Sequence, residues 1–344
     1  MVTLNKIIEN LRLNRFRRIQ NDYEKKYLLL KEFPNLSDEQ IAEINNIWPY
    51  GKLNKDDLTW HRIYKSFHDF SPYVLGLYQS CVFRAKVNPG NLQALENKGL
   101  CDIYFPTIPF PYTFVRRINK VMFDNNMNVI SEKDIPYILS DIKEFIIKPS
   151  IDTQQGVGVR RINTGDNSLN NLLSETIAKY SGDFVIQEVI KQHPELSAFS
   201  PSCLNTCRIT SIYIDGDYDY SIMLKIGKAG AFKDNWNSSY LVGADNEGVL
   251  NEWGVDYNLN KVMNADNGKI FAGKKIPYIE EMLNFVENCH KRYFPNCGII
   301  GWDITVNVEG KIEVIETNLT EPGLVAEQLV SGPFLQKFLL KLYE

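Results

Sequence analysis

An α+β fold preceded by a helical extension is predicted by three features of the sequence. Short strand-like apolar runs are interspersed with segments of helical spacing. Pairs of runs are joined by tight turns, Asp215-Gly216-Asp217 and Glu309-Gly310, that make antiparallel hairpins. Residues 1–48 carry helical spacing alone. The chain has 344 residues, 44% hydrophobic and 23% charged, the balance of two or three packed units. With 38 Lys and Arg against 42 Asp and Glu, the net charge of -4 argues against nucleic-acid binding through bulk charge. No apolar run approaches the roughly 18–20 residues of a spanning helix. Residues 1–18 scatter charge where an export signal has an unbroken apolar core. A cytoplasmic location is therefore expected, with the six cysteines reduced and mostly buried. No Cys-x2-Cys or His-x3-His pair occurs, and no zinc site is expected; His193 and His290 read as structural or surface residues.

The elements follow in order. Ile7, Ile8, Leu11 and Phe16, then Leu28, Leu29 and Leu30, place helices in the extension, residues 1–58. Its first 31 residues hold eight basic and three acidic side chains. Arg12, Arg15, Arg17 and Arg18 would give a weak contact to an anionic membrane surface; a solvated helix face is the competing reading. Ser37, followed by Asp38, Glu39 and Gln40, caps a second helix that Pro49-Tyr50-Gly51 ends. Residues 59–120 are mixed, with a turn at Asn88-Pro89-Gly90, a helix over about 92–99, and Pro106, Pro109 and Pro111 excluding a long regular element. Residues 121–344 read as the main domain, with a small part at about 121–190 and a large part at about 191–344. Strands are expected at 145–147, 184–190, 208–214, 218–226, 300–306 and 312–316. Helices are expected at 169–180, 279–293 and 323–342, the last weakened by Gly332-Pro333.

Three constellations carry chemistry. In the late hairpin, Asp303 lies on one arm and Glu316 and Asn318 on the other. Alternation puts Glu316 and Asn318 on one face, and the hairpin brings Asp303 beside them. Two carboxylates and an amide oxygen are hard ligands suited to Mg²⁺ bridged to phosphates. Second, the strand ending in Lys148 delivers an ammonium to the interior or a cleft, where it needs an anion. Behind it, the polar stretch 150–158 with Gly156 and Gly158 lets backbone N–H groups approach phosphate oxygens; it is not a Gly-x4-Gly-Lys-Ser/Thr loop. Third, the strand that turns polar at Gln187-Glu188 and apolar again at Val189 suits an adenine, its edge read by backbone groups and its faces covered by apolar neighbours.

In this order the three signals resemble the ATP-grasp superfamily. The steps of thirteen residues from Asp303 to Glu316 and two to Asn318 are similar to those of D-alanine–D-alanine ligases. The resemblance implies two α+β subdomains clasping ATP, the small one a lid. It assigns ATP to Lys148, Gly156, Gly158, Gln187, Glu188 and Val189, and the metal, Mg²⁺ with Mn²⁺ as alternative, to Asp303, Glu316 and Asn318. Lys98 takes the place of the family's first phosphate lysine, although Asn97 stands where Asp is usual. A narrower resemblance, to sugar-transfer-associated ATP-grasp proteins of polysaccharide clusters, rests on Gln192-His193-Pro194-Glu195-Leu196, Asn205-Thr206-Cys207-Arg208 and Gly301-Trp302-Asp303. Arg208 would clamp the transferred phosphoryl group and is catalytic with Lys148, or pairs with Asp303 or Glu316 in the empty protein. Glu195 is the candidate for ribose, yet by strand order Arg208 stands where the ligases keep their ribose-binding Glu. Lys225, Lys228, Asp234 and Asn235 are candidates for the acceptor.

The family implies a carboxylate–amine ligase working through an acyl phosphate, here joining a sugar-linked carboxylate to an amino acid or other amine, or equally an amino-acid carboxylate to an amino sugar, in surface polysaccharide biosynthesis. A sugar-hydroxyl kinase and a non-catalytic ATP-binding module are the rival readings.

Overall fold

The computed structural model describes residues 27, 31–48, 53, 58–90, 92–151, 158–164, 173 and 175–343. The arginines at 12–18, Gly156 and residues 169–172 and 174 of the expected helix at 169–180 lie outside them.

The small antiparallel sheet contains β1 (Thr113–Ile118), β2 (Val121–Asp124), β3 (Val129–Ile130), β4 (Glu144–Pro149), β5 (Arg160–Asn163) and β6 (Phe184–Glu188), ordered β3-β2-β1-β6-β4-β5. Its core, including Val115, Phe145, Ile147, Phe184 and Ile186, is closed by Ile135, Leu139, Leu173 and Ile177. β1 precedes residue 121, where the sequence divides mixed region from main domain, yet it pairs with both β2 and β6. Its two arginines, Arg116 and Arg117, hide it from apolar periodicity.

The large sheet contains β7 (Thr206–Ile214), β8 (Asp217–Gly227), β9 (Ser239–Ala244), β10 (Gly254–Asp256), β11 (Lys261–Val262), β12 (Ile299–Val306) and β13 (Ile312–Asn318), ordered β11-β10-β9-β8-β7-β12-β13. Asp215 and Gly216, with φ of 51° and 86°, turn β7 into β8 as the twist of a two-residue hairpin requires. Alternation sends Ile222, Leu224 and Ile226 into one core with Trp302 and Ile304, and Met223 into another on the opposite face. The first core is covered by the helix Ile279–Tyr293, acidic in its first turn and basic in its last, as the helix dipole favours. The second face is covered by helices Thr59–Lys65, Leu77–Val87, Leu324–Ser331 and Gln336–Tyr343, together with Tyr27 and Phe33 of the N-terminal extension.

The helix Asp38–Ile47 starts at Ser37 in a full capping box with Gln40. The last two helices are separated at Gly332-Pro333, where one weakened helix is expected. The helix expected over 92–99 is corrected to a single 3-10 turn, Gln93–Glu96. The Glu96 carboxylate is drawn to the backbone N–H groups of Leu319 (2.5 Å) and Thr320 (2.7 Å), and Asn97 bends the chain away. His290 is a buried core histidine bonded to Ser211 and Cys297; His193 caps the short helix Pro194–Ser197.

Candidate active site

Register builds the first half of the site. β12 lies between β7 and β13, so Asp303 stands opposite Arg208 on one side and Glu316 on the other. Cross-strand partners share a face, and the acid and the guanidinium meet. Arg208 Nε donates to Asp303 Oδ1 at 2.8 Å, Nη2 to Oδ2 at 3.0 Å, and Nη1 to the Pro322 carbonyl at 2.6 Å. Two glycines make room for that guanidinium: a Cβ on Gly301 or Gly323 would sit 3.0 Å from Nη1. From β8, Lys225 Nζ reaches Asp303 Oδ1 at 2.9 Å. Burial pushes the Asp303 carboxyl upward, but Arg208 and Lys225 outweigh it and hold the group well below the usual carboxylate range. Asn318 Nδ2 lies 3.4 Å from Asp303 Oδ2 and donates to the Gly301 carbonyl at 3.2 Å.

The second half comes from the small sheet and the segment before it. Glu316 Oε1 accepts from Lys98 Nζ at 2.8 Å. Lys98 is fixed by its own backbone N–H, which donates to the Ser150 carbonyl at 3.0 Å, two residues beyond Lys148. Arg116, missed by the sequence reading, is fully buried in β1. It grips Asp102 with two bonds of 2.8 Å and the Gly99 carbonyl at 2.9 Å, holding the Lys98 turn against the sheet.

Lys98, Lys148, Glu316, Gln187, Phe110 and Pro111 line one cavity. Lys148 is 8% exposed and has no ion-pair or hydrogen-bond partner among the described residues. Burial, then repulsion from Lys98, lowers its pKa to about 8. Gln187 Oε1 and Thr317 Oγ1, from residues lining the same cavity, are buried polar atoms without partners. Glu188 is tied to Tyr112 twice: its N–H donates to the Tyr112 carbonyl (3.0 Å), and its carboxylate accepts from the Tyr112 N–H (2.7 Å). Val189 follows the end of β6, and Gly158 ends the glycine-containing stretch with φ of 79°.

The other candidates spread outward. Lys225 also lies 3.7 Å from Asp234, which accepts from the Thr206 hydroxyl. Burial raises the Asp234 pKa, with Lys225 opposing it. Lys228 is 3.9 Å from Asp256 and 5.2 Å from the Tyr240 ring centre, and the Asn235 carbonyl accepts from Ser238 and Ser239 in a turn. Glu195 is exposed on its short helix and is not among the residues lining the cavity. Asn205, singled out by its motif, is a buried hub whose amide donates to the Leu196 (3.0 Å) and Ser200 (3.2 Å) carbonyls and accepts from Gly227 N–H (3.0 Å). Glu327, also missed, is fully buried in Leu324–Ser331 and accepts from Thr210 Oγ1 at 2.6 Å. Its signal was available: one carboxylate in a helix whose other residues, apart from Gln328 and Ser331, are apolar.

Two antiparallel sheets meet at a cavity lined by two lysines, Lys148 of the small sheet and Lys98 of the segment before it, and by Glu316 of the late hairpin. A family model described as sugar-transfer associated ATP-grasp matches residues 79–342, and the chain belongs to that family. Its fold is the α+β ATP-grasp fold. Among solved structures, D-alanyl-alanine synthetase A from Vibrio cholerae is similar at 13% identity, covering 72% of this chain and 62% of its own, with a TM-score of 0.43. L-amino acid ligase from Bacillus licheniformis gives 12% identity, 77% and 52% coverage, and a TM-score of 0.44. D-cycloserine synthetase DcsG gives 14% identity, 88% and 93% coverage, and a TM-score of 0.42. The chain thus spans less than two thirds of the length of the first two ligases. No curated protein matches the chain. No helix among the described residues is long and apolar enough to cross a membrane.

Proposed function

We propose that the protein is an ATP-dependent carboxylate–amine ligase that acts in the cytoplasm on a sugar-linked carboxylate and an amino acid or other amine, in surface polysaccharide assembly. The observation that carries the reading is Lys148: a nearly buried ammonium without a counter-ion among the described residues, beside a second lysine, in a cavity lined also by two residues with orphaned polar atoms. Such a group is costly until an anion arrives, and a nucleotide triphosphate is an anion that also offers donors and acceptors to the orphans.

In this reading Lys148 and Lys98 hold phosphate oxygens, and the small sheet, with the stretch 150–158, acts as the lid that excludes water. Asp303, Glu316 and Asn318 are hard donors on one face of one hairpin and fit Mg²⁺, with Mn²⁺ as alternative; when bound, such an ion offsets charge on the phosphates. A carboxylate oxygen of the acid attacks the γ-phosphorus, the bond to ADP breaks, and Arg208 stabilises charge on the transferred group. The amine nitrogen then attacks the acyl carbon, phosphate leaves, and the nitrogen gives up its proton to form the amide. Lys225, with Asp234 beside it, borders this point and is placed to orient the acceptor.

The test is an ADP-release screen over pairs of sugar acids and amines, with mass spectrometry of products. An amide product, with ADP release that needs both partners, is expected. A stable phosphorylated sugar formed without an amine would replace the ligase by a kinase. ATP binding without turnover across the panel would leave a binding module.

A further inference from the structure

We infer that Glu96 is a positioning residue for the lysine at the hairpin. Its carboxylate pins the turn that carries Lys98 to the backbone just past Asn318, and so keeps that turn in place when a nucleotide draws the ammonium away from Glu316. This rests on the cavity being the nucleotide site. The course of the chain explains why an acid stands there. β13 ends at Asn318, and Leu319 and Thr320 leave the sheet, so their N–H groups lose ladder partners. Leu319 is fully buried, where a backbone donor needs an acceptor. Glu96 Oε1 accepts from both, at 2.5 Å from Leu319 N and 2.7 Å from Thr320 N, and Oε2 accepts from Thr320 Oγ1 at 2.6 Å. Glu96 lines the same cavity as Lys98 and Lys148. A bare carboxylate there would repel a triphosphate; with three donors on its two oxygens it is an anchor instead.

The ties of the turn divide between the two sheets. To the small sheet run the Lys98 N–H, which donates to the Ser150 carbonyl at 3.0 Å, and the bonds of Arg116 to the Gly99 carbonyl at 2.9 Å and to Asp102 at 2.8 Å. To the large sheet run Lys98 Nζ, 2.8 Å from Glu316 Oε1, and the carboxylate of Glu96. In the proposed function the nucleotide opens the Lys98–Glu316 pair. Among the described residues, Glu96 is then the charged side chain of this turn that still reaches the end of β13. Leu92 and Leu95 also rest on the core of the large sheet, but apolar packing is non-directional and does not set the reach of the lysine. Two residues beyond Thr320, the Pro322 carbonyl accepts from Arg208. One carboxylate thus holds the Lys98 turn against the segment that also seats Arg208.

The test is calorimetric binding of ATP with Mg²⁺ to the full chain, with no acid or amine present, in a double-mutant cycle. Glu96→Ala should weaken binding about tenfold, but by less than about twofold when Lys98→Ala is already present, because Glu96 acts through that lysine. Glu96→Gln keeps an acceptor for both N–H groups and offers its NH₂ to the Thr320 hydroxyl, so it should stay within about threefold of the wild type. A Glu96→Ala loss that persists undiminished beside Lys98→Ala is that of a general structural role and overturns the inference. So does a Glu96→Gln variant as weak as Glu96→Ala, which would put the charge itself, not the anchoring, to work in the site. A wild type that does not bind ATP overturns the nucleotide reading, and this one with it. If Glu96→Ala does not fold, Thr320→Val, which removes one of the three bonds, takes its place in the cycle and should lose about threefold only where Lys98 is present.

Discussion

Asp303→Asn tests the charge balance on which the site stands. The carboxylate is 6% exposed, with one oxygen shared between Arg208 Nε and Lys225 and the other held by Arg208 Nη2. Asparagine keeps the shape and removes the charge, so two buried cations lose their common counter-ion. Breaking a buried ion pair from one side costs about 3–5 kcal/mol. Lys225 keeps Asp234 at 3.7 Å and the new amide can still accept from Arg208, which puts the expected loss near the lower end, about 3 kcal/mol. Urea unfolding can be followed through Trp302, fully buried beside the substituted residue. The midpoint should fall by about 1 M or more. Inorganic phosphate should recover part of the loss, because the released cations form an anion site, and Arg208→Met added to Asp303→Asn should recover part of it without phosphate. A loss below about 0.5 kcal/mol, with no response to phosphate, would mean that the cations are satisfied without Asp303. The electrostatic account of the site would then be wrong.

Lys148→Met should weaken ATP binding by roughly ten- to a hundredfold in calorimetry with little change in stability, since it removes a charge-assisted contact to phosphate and relieves a buried charge. Because the Lys148 pKa is lowered to about 8 and bound phosphate would raise it, ATP affinity should fall as pH rises above 8, a slope that Lys148→Met removes. Glu327, raised by burial from 4.5 to about 7, contributes stability that is complete below pH 4.5 and lost as pH climbs to 7; about 3 kcal/mol should disappear across that window in wild type and not in Glu327→Gln, measured by urea unfolding at each pH. Glu316→Gln should slow ADP release by at least about tenfold while circular dichroism stays unchanged; wild-type turnover would remove Glu316 from the metal donors.

What the sequence made legible was local and periodic. The β12–β13 hairpin announces itself because apolar residues alternate toward Glu309-Gly310, but its register does not follow from the turn alone: an irregularity between Asp303 and Ile304 shifts the pairing by one residue and sets Asp303 opposite Glu316. Glu316 and Asn318 share a face through the same alternation. The helix over 279–293 has an apolar stripe and charged ends, and its bounds agree with the expectation. What stayed hidden depends on partners far along the chain. Arg116 and Arg117 make β1 look like surface, and only Asp102 and the Gly99 carbonyl explain a guanidinium with no exposure. The segment 93–96 has helix-forming residues, but Glu96 serves the backbone of residues 223 and 224 positions away. Lys98 is reached from the sequence only through the family resemblance at Asn97-Lys98-Gly99; its bonds to Glu316 and to the Ser150 carbonyl exist only after the sheets meet.

Those distant pairings also say how a metal and a nucleotide would enter. Both carboxylates proposed as metal donors are paired with cations: Asp303 with Arg208 and Lys225, and Glu316 with Lys98. A divalent ion arriving alone would have to strip those cations from the acids and leave them buried without partners. A triphosphate arriving alone would have to strip the acids from the cations and leave two carboxylates in the same position. Either exchange alone strands charge, at several kcal/mol per buried ion. On the proposed function, Lys98 and Arg208 would be released to phosphate and Glu316 and Asp303 to a divalent ion when both are bound, and no charge would be left alone. Metal and nucleotide should therefore bind with strong mutual dependence. Titrating Mg²⁺ with and without ATP present, and ATP with and without Mg²⁺, should show each tightening the other beyond their association in solution, and Lys98→Ala should reduce that excess by freeing Glu316 beforehand. Additive binding in the wild type would mean that these ion pairs open at no cost, which their burial and 2.8–2.9 Å separations speak against.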